Sequence, residues 1–142
     1  MSDTLDDRFI AIALHASVLL PELEARGKRG KALSKAVYRR VFDGLDAGLR
    51  ETGVGDASIA RKVRKFGERF FGLGRAIQEA IGMDDPETAV ESVLIRNQIG
   101  TEASRRTLAR YIIAVAQDLS ARSHDELLSG HSGLADAGKR TD

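Results

Sequence analysis

VFDGLDAGLRETGVGDASIARKVRKFGERFFGLGRAIQEAI, residues 41–81, decides the fold. Around its glycine-rich middle, apolar residues recur every three or four positions. Tyr38, Phe42, Leu45 and Leu49 form one stripe, with Val37 and Val41 beside it, and Ile59, Val63, Phe66, Phe70 and Ile77 form the next. That period belongs to helices packed on one face, and no alternating run of β-branched residues competes with it. Gly53 can take a left-handed conformation at no steric cost, and Val54 is placed to make the apolar contact that follows a helix C-cap. Asp56 or Ser58 can then cap the following helix. The stretch predicts two long helices folded back as an antiparallel hairpin.

Working towards the N-terminus, Gly27 and Gly30 flank a basic turn ahead of the hairpin. Before them a helix beginning near Thr4, with Asp7 in its first turn, places Phe9, Ile12, Ala16, Leu20 and Leu23 on one stripe. Ile10, Leu14 and Val18 cover much of the remainder, so this helix is central in the core or gives a face to a partner. Pro21 lacks an amide donor and predicts a kink or an early end. Working towards the C-terminus, Gly82 closes the second hairpin helix, and Asp85, Pro86 and Glu87 are a start signal because Pro at the first helical position loses no needed donor. Val90, Val93 and Leu94 give that helix its inner face, and Asn97 follows at the same spacing. Its inward amide is expected to bond a backbone carbonyl or helix end. Gly100 precedes a fifth helix, capped by Thr101, with Leu108, Tyr111, Ile112, Val115 and Leu119 as its stripe. The expected fold is all-α, a single-domain bundle of five to six helices spanning 1–128, followed by a disordered polar tail over 129–142.

At 142 residues, with 42% apolar and 30% charged residues, the chain has the composition of one globular domain. The absence of cysteine excludes disulfides and thiolate metal sites. Residues 9–20 form the longest apolar run, too short to cross about 30 Å of hydrocarbon, and no basic segment marks it as a signal peptide. A cytoplasmic protein, soluble or peripheral on a membrane, is expected.

The net charge of +1 conceals an uneven distribution: residues 26–75 hold 14 Lys and Arg against 5 Asp and Glu, between acidic flanks. Within the third helix Arg61, Lys62, Arg64, Lys65, Arg69 and Arg75 face only Glu68, on a broad arc opposite the apolar stripe. Phe71 falls on that basic side. Such a face suits RNA, an anionic membrane surface or the acidic loops of a protein client, and a merely solvated face is the plain alternative. His15, His124 and His131 lack the cysteine or close carboxylates that would complete a site. Asp84 and Asp85 are adjacent at a helix start, which suits capping better than acid–base work. With no phosphate-binding glycine loop, HExxH or GxSxG, the chain is expected to be no enzyme and to use no cofactor, metal or small-molecule substrate.

Residues 41–81 also resemble the core signature of the ubiquinol-cytochrome c chaperone family. The resemblance rests on Phe42 and Asp46, on Leu49, Arg50 and Glu51, on the turn Gly53, Val54, Gly55 and Asp56, and on a basic helix running into Phe70 and Gly72. Asp3, Thr4, Leu5, Arg8 and Phe9 before it and Arg96 and Asn97 after it fall in register, so the similarity covers roughly residues 3–128. The chain departs from the pattern at Phe71, Leu73 and Ile77, where members often carry Tyr, Arg and an aromatic. What the resemblance implies is an all-helical, non-catalytic assembly factor for respiratory complex III that binds newly made cytochrome b or another subunit. The ribosome or an anionic membrane surface is a further expected partner. The expected binding residues are the six third-helix cations with Phe71, together with the turn 53–56. The rival reading is a ribosome- or nucleic-acid-binding module using the same basic helix.

Overall fold

Phe9, Ile10, Ala13, Leu14, Ala16 and Val18 are each no more than 5% exposed, which makes the first helix, α1 (Leu5–Glu24), the centre of the molecule. The computed structural model describes residues 5–53 and 55–129; Thr4, Val54 and the segment 130–142, with the cap, contact and tail expected there, lie outside them. Among the described residues there are five further helices and no strand: α2 (Gly27–Glu51), α3 (Asp56–Ile81), α4 (Pro86–Arg96), α5 (Arg105–Ala121) and α6 (His124–Leu128). α1 packs against α2, α3 and α5, while α4 joins α3 to α5 and α6 touches α2. The expected all-α bundle is what forms.

Aromatic packing sets the hairpin against α1. The ring of Phe9 lies 4.5 Å from Phe66 and 6.1 Å from Phe70, and Phe42 of α2 stands edge-on to Phe70 at 5.4 Å. Arg50 near the end of α2 meets Asp56 at the start of α3, and Tyr38 meets Phe71 further from the turn, so the two helices run antiparallel. Burial of Leu73 and Ala80 widens the α3 stripe beyond the residues expected, on a helix that packs against α1, α2 and α4.

Several local expectations are corrected. α1 does not end early at Pro21 but continues to Glu24. The proline leaves the carbonyl of Ser17 without its helical donor, and the side-chain amide of Gln78, from α3, donates to it at 2.6 Å. α2 starts at Gly27, so the basic turn is its first helical turn. Gly30 is required there, since a Cβ would collide with the Leu23 carbonyl oxygen at the end of α1. Arg26 fixes the same junction: its guanidinium donates to Glu22 at 2.9 Å and to the carbonyl of Arg122 at 3.1 Å.

Neither Asp56 nor Ser58 caps α3; Gly55 holds the N-cap in extended backbone, and Asp56 is the first helical residue. Asp85 does cap α4, accepting from the Thr88 hydroxyl at 2.7 Å and its amide at 3.4 Å. Asn97 ends α4 with its amide donating to Val93 O at 2.8 Å. Thr101 caps a turn that precedes α5: its hydroxyl accepts from Ser104 N–H at 3.2 Å, and Ser104 Oγ accepts from Thr101 N–H at 2.8 Å. The helix itself begins at Arg105. Ile12 and Tyr111, both assigned to apolar stripes, are 45% and 42% exposed. α6, with a reciprocal Ser123 and Glu126 cap, buries Leu127 and Leu128 as the sixth helix.

Candidate binding face

The turn that joins α2 to α3 is fixed by one glycine and one arginine. Gly53 has φ +81°, which favours glycine, whereas Gly55 has φ −71° and ψ 157°, which any residue adopts. Arg50 closes the turn by donating to Asp46 at 2.9 Å and to Asp56 at 2.8 Å, and these carboxylates hold its guanidinium above the ordinary arginine value, Asp46 contributing most. Asp56 therefore serves the turn through its side chain.

Along α3, Arg61, Lys62, Arg64, Lys65, Arg69 and Arg75 are all exposed, as their spacing predicts. Among the described residues none of the six forms an ion pair; Arg61 alone has a side-chain hydrogen bond, donating to Ser58 Oγ at 3.2 Å. The contrast with other arginines is direct. Arg26 pairs with Glu22, Arg106 with Glu91 at 2.6 Å, Arg110 with Glu87 at 3.1 Å and Arg122 with Asp118 at 3.3 Å. Glu22, Glu87, Glu91 and Asp118 of the two flanks thus pair with arginines near them, and within the described residues the basic helix has no ion pair.

Phe71 is 58% exposed on the same helix, and its one supported side rests on Tyr38, 5.4 Å away, and on Phe70, 5.6 Å away. Beside it a groove of about 250 Å³ opens between α1 and α3, lined by Leu20, Pro21, Gly74 and Gln78 among others. A second concavity, of about 400 Å³, is formed by Lys62, Lys65, Phe66 and Arg69. Sequence reasoning placed the cations and Phe71 correctly on the outside but missed Tyr38 as the ledge under Phe71. Tyr38 falls on the apolar stripe of α2, and only the rotation of α2 against α3 shows which edge it serves.

Among the described residues, His15 is bonded through both ring nitrogens. His15 donates from Nδ1 to Ala11 O at 2.7 Å, since a carbonyl can only accept, and its Nε2 lies 2.8 Å from the Tyr111 hydroxyl. The pair sits at the rim of an apolar cavity of about 160 Å³ between α1 and α5. His124 is exposed in α6, and His131 lies outside the described residues. Among the described residues no group of three or more His, Cys, Asp or Glu could hold a metal ion, and no helix is long and apolar enough to cross a membrane.

Comparison with curated proteins and with solved structures gave no match. Comparison with protein families matched residues 1–134 to the family described as Ubiquinol-cytochrome C chaperone. The match takes in every helix of the bundle together with the basic hairpin, and the chain belongs to the ubiquinol-cytochrome C chaperone family.

Proposed function

We propose that this chain is a non-catalytic assembly chaperone for ubiquinol-cytochrome c reductase that binds newly made cytochrome b, or a related membrane subunit, at the cytoplasmic face of the inner membrane. The supporting observation is the row of α3 cations without ion pairs among the described residues, beside an exposed phenylalanine, in a chain of this family. The binding residues in this reading are Arg61, Lys62, Arg64, Lys65, Arg69, Arg75 and Phe71, together with the turn Gly53, Val54, Gly55 and Asp56. Exposed charges add little to fold stability but much to association, so residues kept unpaired on a well-packed helix are suited to binding. A polytopic client also needs holding during insertion, because its apolar surface would otherwise aggregate.

Crosslinking pull-down from membranes with the chain as bait tests the proposal. Cytochrome b or another complex III subunit is the expected capture, lost when Arg61, Arg64 and Lys65 are changed to Glu. Recovery of ribosomes or RNA without any complex III subunit would favour the nucleic-acid reading. A log–log salt slope of about −5 for a duplex, the value for six neutralised phosphates, would support the same conclusion.

A further inference from the structure

The cations of α3 are one side of a wider surface. Tyr38 and Phe71 meet across the outer seam between α2 and α3, with ring centroids 5.4 Å apart and planes 30° from parallel. Lys35 lies one turn before Tyr38 on α2, and Arg75 lies one turn after Phe71 on α3, so cations from both helices border the aromatic seam. Of the few acids on the hairpin, Asp46 and Asp56 are already engaged by Arg50. The outcome is a positive two-helix face with one aromatic ring projecting from it.

The chemistry of the partner follows from which anions lie on the side where a membrane client is made. Loops of membrane proteins on that side carry an excess of Lys and Arg, so they supply few of the anions that a basic face of this breadth can take up beside the proposed client contact. The leaflet on the same side carries anionic lipids, which attract clustered Lys and Arg. A projecting aromatic ring beside such cations matches the boundary between headgroups and acyl chains, where amphipathic surfaces seat their apolar side chains. We infer that the outer face of the α2–α3 hairpin docks on anionic phospholipid headgroups, with the Phe71 ring entering that boundary. This deepens the proposed function and rests on it for the side of the bilayer on which the client is made. The chaperone is held at the surface by lipid, beside a client whose own basic loops occupy the same side.

Flotation of the full chain with vesicles tests the inference. Vesicles of equimolar phosphatidylcholine and phosphatidylglycerol should carry the protein upward at low salt and release it at high salt, and phosphatidylcholine alone should not carry it. Each cation near the surface changes partitioning roughly fivefold, so Arg61→Gln, Arg64→Gln and Lys65→Gln together should lower it on the order of a hundredfold, and Glu at the same three positions, which alters two charges at each, should lower it further. Phe71→Ser should lower it by roughly tenfold while leaving the salt dependence in place. If the triple reversal does not fold, the Gln series at the same positions and the comparison of lipid compositions still decide. Equal binding to neutral vesicles, no binding to anionic ones, or displacement of bound protein by an RNA duplex at equal phosphate concentration would overturn the inference. Absence of vesicle binding alongside complex III assembly that still depends on the chain removes the lipid contact and leaves the chaperone role. Vesicle binding alongside normal assembly in cells lacking the chain does the reverse.

Discussion

Gly53 and Gly55 stand two positions apart in one turn, yet only the first needs to be glycine. At φ +81° a side chain on residue 53 meets the steric penalty of the left-handed region, about 1–2 kcal/mol. Residue 55 is extended, with nothing within 4 Å of a built Cβ. Denaturant titration should therefore show Gly53→Val destabilised by about that amount and Gly55→Val close to the parent protein. The three neighbouring phenylalanines are ordered by burial in the same way. Phe70 is 5% exposed within an aromatic cluster, and its replacement by Ala should remove about 3–5 kcal/mol. Phe66 is half-buried, so its truncation should destabilise by less, and that of the exposed Phe71 by least. Equal losses at Phe70 and Phe71 would show that α3 is rotated differently against α1.

At the scale of elements, Pro21 shows how a local rule is met by a distant residue. The lost helical bond at Ser17 is replaced by Gln78, 61 positions away. Gln78→Leu should destabilise by about 1–3 kcal/mol, because the carbonyl of the buried Ser17 then has no donor. In a Pro21→Ala background the alanine amide can supply the bond, so the same change should be milder, and a double-mutant cycle reads that difference. The start of α4 carries a pH dependence. The Thr88 hydroxyl first, then its amide, hold the Asp85 carboxyl below its ordinary value of 3.8. A depressed carboxylate contributes stability above the unfolded value and loses it as pH falls through the folded one. The stability difference between the parent and Asp85→Asn should thus be present at neutral pH and shrink in acid, which acid titration followed by circular dichroism measures. The stripes of α2 to α5 and the Asp85 cap were legible because apolar period and capping chemistry are local. The Gln78 bond, the Gly30 contact and the exposure of Tyr111 were not. Each depends on which helix lies alongside, and Tyr111 stays at the rim where its hydroxyl can reach His15.

Across the whole molecule, charge is sorted by use. The arginines between α4 and α5 pair with nearby glutamates, and Arg50 closes the turn, while the α3 cations have no ion pair among the described residues. The cations were legible from spacing alone, since a surplus of like charge on one arc has no internal partner within a turn. The two-helix breadth of the face was not, because it follows from how α2 lies against α3. A bundle that exposes a basic face with an aromatic ring beside it is suited to acting by association. The effect of its loss should therefore be on complex III after its subunits are made. The decisive measurement is the reduced-minus-oxidised difference spectrum of membranes from cells lacking this chain and any second family member, taken with quinol-cytochrome c reductase activity and cytochrome b message. The expected result is loss of haem-bearing cytochrome b and of reductase activity, with message intact and both restored by the parent chain. Normal cytochrome b spectra and normal activity in those cells would contradict the chaperone role.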